Sequence, residues 1–162
     1  MMEIRHGEER DLEELNEVYN HYVRETAVTF DLEEITMDAR REWFSTFGGR
    51  YLLLVALEEG SVIGYAHSKQ FRPKRAYETS VETTVYLRHD RHARGIGTSL
   101  YKGLFEELDG LDVHRALAGI TVPNPASFAL HERFGFKQVA YFTEQGRKFG
   151  RYWDVAWFEK EL

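Results

Sequence analysis

YETSVETTVYLRHDRHARGIGTSLYKGLFEEL, residues 77–108, decides how the rest of the chain is read. Its first third alternates. Tyr77, Thr79, Val81, Thr83, Val85 and Leu87 fall on one face and Glu78, Ser80, Glu82, Thr84 and Tyr86 on the other, the period of a β-strand. A basic loop follows, and from Gly95-Ile96-Gly97 onward the period becomes helical, with Ile96, Leu100, Leu104 and Leu108 on one stripe. A helix that begins this way offers unpaired backbone N–H groups and the positive end of its dipole to an anion. Glycine at 95 and 97 lets a ligand approach the backbone with no Cβ in the way. Arg88, Arg91 and Arg94, with His89 and His92, add positive charge. The stretch predicts a phosphate or pyrophosphate site at the start of the helix.

Upstream, Met2–His6 reads as an edge strand. From Asp11, Leu12, Leu15, Val18, Tyr19 and Tyr22 recur at helical spacing. Thr36 or Asp38 caps a second helix through Trp43 and Phe44 to the Gly48-Gly49 stop. Residues 51–57 and 61–68 form a hairpin about a turn at 58–60. Downstream, 115–122 is β-rich, and Asn124 before Pro125 starts a helix that ends near Phe134-Gly135. Strands follow at 137–142 and 152–159. The order βααβββαβαββ predicts an α/β fold of mixed α+β type, a mixed sheet with helices on its faces. No repeat, low-complexity tract or Pro/Gly/Ser-rich linker divides it, so residues 1–162 read as a single domain.

Composition narrows the chemistry. With 43% hydrophobic and 30% charged residues, the chain reads as globular. Its 27 acidic against 21 basic residues leave a charge of −6, which argues against nucleic-acid or anionic-membrane partners. There is no cysteine, which excludes disulfides, Cys-ligated zinc, iron–sulfur clusters and a cysteine nucleophile. The longest apolar run, 51–57, is far short of a membrane span, and the N-terminal MMEIRHGEERDLEEL is acidic where a signal peptide is apolar. A cytoplasmic protein is predicted. His89 and His92 lack a third ligand at useful spacing and no HExxH occurs, so no metal is expected.

Two phosphate loops fail to match. A Walker A loop needs lysine after its second glycine, where Thr98 stands, and a dinucleotide fingerprint needs glycine at Leu100. What remains, His92-Ala93-Arg94-Gly95-Ile96-Gly97, resembles the acyl-CoA loop of the GNAT N-acetyltransferases, Gln/Arg-x-x-Gly-x-Gly/Ala, with His92 departing at the first position. NHYV and AVTF within 20–30, AYETSVETTVYL (76–87), VPNPASFALHERFGF (122–136) and GRKFGRYWD (146–154) extend the resemblance to the phosphinothricin and methionine sulfoximine/sulfone acetyltransferase branch.

That resemblance implies a GNAT fold, a mixed central sheet of six to seven strands flanked by about four helices, with acetyl-CoA as co-substrate. It implies that Val85, Tyr86 and Leu87 offer strand backbone to the pantetheine arm and that Ala93, Arg94, Gly95, Ile96, Gly97 and Thr98 hold the pyrophosphate. Asn124 and Ser127 would lie nearer the thiol end. Glu82, in ETTVYL where the family has Glu-Ser-Thr-Val-Tyr-Val, is implied as general base; alone it reads as a solvated strand residue. His131, seven residues after Asn124 and on the same helix face, protonates the CoA thiolate, assists the base, or covers a core edge. Tyr101 reads as packing.

For the acceptor, a small-molecule amine with a carboxylate, the resemblance implies Arg72, and Tyr77 at the head of the strand and Phe30 on the apolar side are further candidates. Lys148 and Arg151 read either as solvated surface charges or as a basic pair reaching the site, from the same subunit or from the partner of a homodimer. Tyr152, Trp153, Trp157 and Phe158 serve that interface or finish the core. Two other readings stay open: a GNAT enzyme for a protein N-terminus, polyamine or aminoglycoside, and an acyl-CoA-binding module without catalysis.

Overall fold

The computed structural model describes residues 1–92 and 94–162. Its elements are β1 (Met2–His6), α1 (Leu12–Glu25), α2 (Met37–Phe44), β2 (Leu53–Glu58), β3 (Ser61–Gln70), β4 (Ser80–Leu87), α3 (Ile96–Leu108), β5 (Arg115–Thr121), α4 (Pro125–Arg133), β6 (Lys137–Lys148) and β7 (Arg151–Glu161). The seven strands form one mixed sheet in the order β1-β2-β3-β4-β5-β7-β6. All neighbours are antiparallel except β4 and β5. No helix among the described residues is long and apolar enough to cross a membrane.

β2 shows why the sheet lies between two layers. Its run LLVAL, residues 53–57, is apolar throughout because both faces are covered, and only Glu58 at its end is charged. Leu54 and Ala56 meet Ile96, Leu100, Leu104 and Leu108 of α3, while Leu53, Val55 and Leu57 meet Leu15, Val18 and Tyr22 of α1. Trp43 and Phe44 of α2 pack against that second cluster.

The functional geometry begins where the sheet comes apart. β4 and β5 pair only at Ser80–Arg115, Val81–Ala116 and Glu82–Leu117. Beyond Glu82 each strand stays with its other neighbour, β4 with β3 as far as Leu87–Gly64 and β5 with β7 as far as Thr121–Val155. The two halves therefore diverge. The Arg88 amide donates to Ile63 at 2.9 Å, so by alternation the backbone polar groups of Tyr86 face β3 and those of Val85 and Leu87 face the gap. The Leu87 carbonyl accepts from the Tyr22 hydroxyl, and no strand pairs with Val85 on the gap side.

Three local expectations are corrected. The alternation begins at Tyr77, yet the strand begins at Ser80, because the Phe71 amide closes onto the Ser80 carbonyl and the intervening segment leaves the sheet as a loop with a 3-10 turn at Arg75–Tyr77. The hairpin turn is two residues, not three: Glu59 (φ 52°) and Gly60 (φ 83°) both take the left-handed conformation of a type I′ turn. β6 extends to Lys148 rather than 142, and register shifts at 138/140 and 142/146 interrupt the period that would have announced it.

Candidate active site

A cavity of about 550 Å³ lies over the end of β4, the first turn of α3 and one face of α4. Val85, Tyr86, Leu87, Gly95, Ile96, Gly97, Thr98, Asn124 and Ser127 line it. Gly95 caps α3 at φ +75° and no side chain among the described residues caps the helix, which leaves the N–H groups of its first turn to face an anion. A Cβ on Gly97 would come within 3.5 Å of Leu130, 3.8 Å of Leu87 and 4.0 Å of Val85, all groove residues, and would fill the groove between them. The open backbone of Val85, the uncapped helix and this glycine suit the pantetheine and phosphates of a CoA thioester. Ala93 lies outside the described residues.

The basic loop is less basic than its sequence. Arg88 is held by Asp90 at 2.7 Å, and Arg91 and Arg94 share Glu58 at 3.4 and 3.0 Å. Arg94 does not line the groove. Arg94 above all, with Arg91, holds the Glu58 carboxyl below its usual range. Arg133, which the sequence reading passed over, lines the groove and donates to the Thr98 hydroxyl at 3.3 Å. It has no carboxylate partner among the described residues.

Where β4 and β5 part, the groove narrows to a throat of about 60 Å³ lined by Thr83, Tyr101, Asn124, Ser127 and His131. The Asn124 side chain caps α4, accepting from the Ser127 amide at 3.1 Å. His131 is buried, with Nδ1 2.7 Å from the Ser127 carbonyl. A carbonyl only accepts, so Nδ1 carries the proton, and Nε2 of the neutral ring accepts from the Tyr101 hydroxyl at 2.9 Å. Burial lowers the pKa of His131 against the Ser127 carbonyl, which raises it. Tyr101 also lies 3.4 Å from the Thr83 hydroxyl, and burial drives its own pKa up. The reading of Tyr101 as packing is incomplete. The available signal was a phenol on a buried apolar stripe, which needs a partner.

Past the throat is a second cavity of about 360 Å³, lined among others by Val28, Phe30, Arg72, Glu82, Gln145 and Trp157. Thr84 and Tyr86 line it and the throat alike. Glu82 is therefore half-buried in the wall of a cavity rather than on a fully solvated face. Its burial raises its pKa, against the opposing pull of Arg72. Arg72 lies 4.6 Å over the Phe71 ring and makes no salt bridge among the described residues. The structure thus brings Glu82, Arg72 and Phe30 together, and puts His131 one compartment away.

Two expected substrate residues are not among them. Tyr77 is exposed on the 3-10 turn, edge-on to Phe71 at 6.1 Å. Lys148 is 3% exposed and donates from Nζ to the Thr29 carbonyl at 3.0 Å. It fixes the loop that carries Phe30, whose ring lies against Gly146. Among the described residues no group of three or more His, Asp or Glu is placed to hold a metal.

The Acetyltransferase (GNAT) domain profile matches residues 4–157. The phosphinothricin N-acetyltransferase of Streptomyces coelicolor is 52% identical over 99% of this chain and 96% of its own length. The L-methionine sulfoximine/L-methionine sulfone acetyltransferase of Pseudomonas aeruginosa is 32% identical over 98% and 94%. The crystal structure of a GNAT superfamily phosphinothricin acetyltransferase from Sinorhizobium meliloti, in complex with AcCoA, superposes with a TM-score of 0.95 at 32% identity, covering 99% of this chain and 88% of that one.

Proposed function

The chain belongs to the GNAT acetyltransferases, and on that premise we propose that it transfers the acetyl group of acetyl-CoA to the α-amine of a small amino-acid analogue: phosphinothricin, methionine sulfoximine or methionine sulfone. The observation that carries this reading is a pair of cavities meeting at one throat, one with an uncapped helix N-terminus and open strand backbone, the other with a half-buried carboxylate beside a guanidinium that has no carboxylate partner among the described residues.

In this reading Gly95 to Thr98 and Arg133 hold the phosphates, Val85 the pantetheine arm, and Arg72 the acceptor carboxylate. Glu82 takes a proton from the acceptor ammonium, a task its raised pKa favours. The amine then attacks the thioester carbonyl, and its second proton passes through the Tyr101 hydroxyl to Nε2 of neutral His131. The same path returns that proton to the sulfur as the C–S bond breaks, so amide and thiol leave, Tyr101 and His131 are restored, and Glu82 releases its proton to solvent before the next turnover. His131 is thus a proton carrier rather than a standing acid, because burial disfavours its cation.

The chain has no cysteine, so an acetyl-cysteine intermediate is excluded, and direct attack of the amine in a ternary complex is the path expected. Acetyl-CoA with a panel of the three amines is the test. CoA release above the hydrolysis background with at least one of them, and intersecting double-reciprocal plots, are expected. No turnover on the panel overturns the substrate class, and parallel plots overturn direct attack.

The reading includes a cytoplasmic homodimer. Val139, Tyr141, Phe142, Phe149 and Tyr152 are about half exposed on the β6–β7 ribbon, β6 being an edge strand. So large an apolar surface favours a second copy of the chain. Light scattering after gel filtration tests it: a dimer mass is expected, and a monomer at micromolar concentration rejects it.

A further inference from the structure

A cavity of about 360 Å³ between α1, α2 and the β3–β4 pair has no part in the reaction above. Arg40 lines it and is only 4% exposed. Its Nε donates to Asn16 at 2.8 Å, whereas its buried Nη2 has no hydrogen-bond partner among the described residues. His67 lines the same cavity, and its buried Nδ1 likewise has no partner among the described residues. Burial, with Lys69 and Arg40 close by, pushes the pKa of His67 down to about 3, so the ring is neutral. The walls are aromatic. The guanidinium lies 4.5 Å over Trp43 and 4.9 Å over Tyr19, and the Tyr65 and Tyr86 rings close the far side. The facing charges are Arg40 and half-buried Lys69 against Asp31, whose carboxylate accepts from the Tyr19 hydroxyl. A local positive excess thus sits inside an acidic protein.

An unspent edge of a guanidinium matches a planar oxyanion, and flat aromatic walls match a flat apolar body. We propose that this cavity is a binding site for a small flat carboxylate, held by Arg40 and His67 and distinct from the acceptor cavity. The two cavities adjoin at Thr84 and Tyr86, which line both.

The three tryptophans make the test site-specific. Trp43 lines this cavity, Trp157 the acceptor cavity and Trp153 neither. The full chain carrying 5-fluorotryptophan is titrated with benzoate and, separately, with neutral benzamide, and fluorine resonances are followed, Trp43 being assigned by its loss in Trp43→Phe. A saturable shift of Trp43 with benzoate and none with benzamide is expected. Arg40→Gln should weaken the benzoate midpoint about tenfold or more, and His67→Gln less. Should Arg40→Gln fail to fold, the wild-type contrast between the two probes decides. A Trp43 signal unmoved by benzoate, moved equally by benzamide, or a shift of Trp157 in its place overturns the proposal. Benzoate has no amine to acetylate, so failure here leaves the acetyl-transfer assay untouched.

Discussion

Arg94 is clamped to Glu58 by two hydrogen bonds of 3.0 and 3.2 Å, and this pairing turns one of the most conspicuous cations of the sequence away from the groove it flanks. Arg133, with no such partner, lines that groove. Arg94→Ala is therefore expected to change the KM for acetyl-CoA by about twofold at most, as for other exposed ion pairs. Arg133→Ala should raise it roughly three- to tenfold with kcat little changed. Steady-state kinetics at saturating amine reads both, and the reverse ranking would return the phosphate contact to Arg94.

Glu82 couples activity and stability in opposite directions. Its folded pKa is raised, so the native state binds its proton more tightly than the unfolded chain does. Stability therefore falls as pH rises through the unfolded and then the folded pKa, and ionised Glu82 is a burden above them. Glu82→Gln should lower kcat about 10²- to 10³-fold and raise Tm at pH 7. The Tm difference should shrink toward pH 4 as the wild-type carboxyl protonates. In the wild type the rate should fall with acid through the raised Glu82 pKa, and that limb should vanish in the variant. A Tm lowered at pH 7 would remove the burial argument.

If Tyr101 and His131 move one proton between them, removing either breaks the same path. Tyr101→Phe and His131→Asn should each lower kcat roughly tenfold or more with both KM values nearly unchanged, and the double variant should be little worse than the poorer single. Multiplicative losses in that cycle would separate the two roles.

Gly146 is placed so that a Cβ there would enter the Phe30 ring. Gly146→Ala should push that ring from the acceptor cavity, raising the KM for the amine several-fold while the Kd for acetyl-CoA, by calorimetry, stays within about twofold. Equal losses for both ligands would point to a wider disturbance.

Much of this is legible in the sequence. The stripe on α3 and the Asn124 cap follow from local rules and stand in the structure, and the alternation of 77–87 does so from Ser80 onward. The misses share one cause: pairing with residues distant in sequence. Nothing near Arg94 announces Glu58, thirty-six positions away. Lys148 resembles a surface charge until Thr29, one hundred and nineteen positions away, supplies a carbonyl. Glu82 is ambiguous on its own strand, and becomes a half-buried acid in a cavity wall that it shares with Phe30 and Arg72 of distant loops. Bulges in β6 hid that strand's length in the same way, by breaking a local period for a tertiary reason.

The parting of β4 and β5 leaves the sheet as two half-sheets stitched by three residue pairs. A ligand lying along Val85 would add the next rungs of that ladder from outside the chain. Its binding should then do more than add affinity: it should make the two halves unfold as one, and slow amide hydrogen exchange on β5, which the ligand need not touch, as well as on β4. In that sense the enzyme carries the outline of its co-substrate as an unfinished seam in its own backbone.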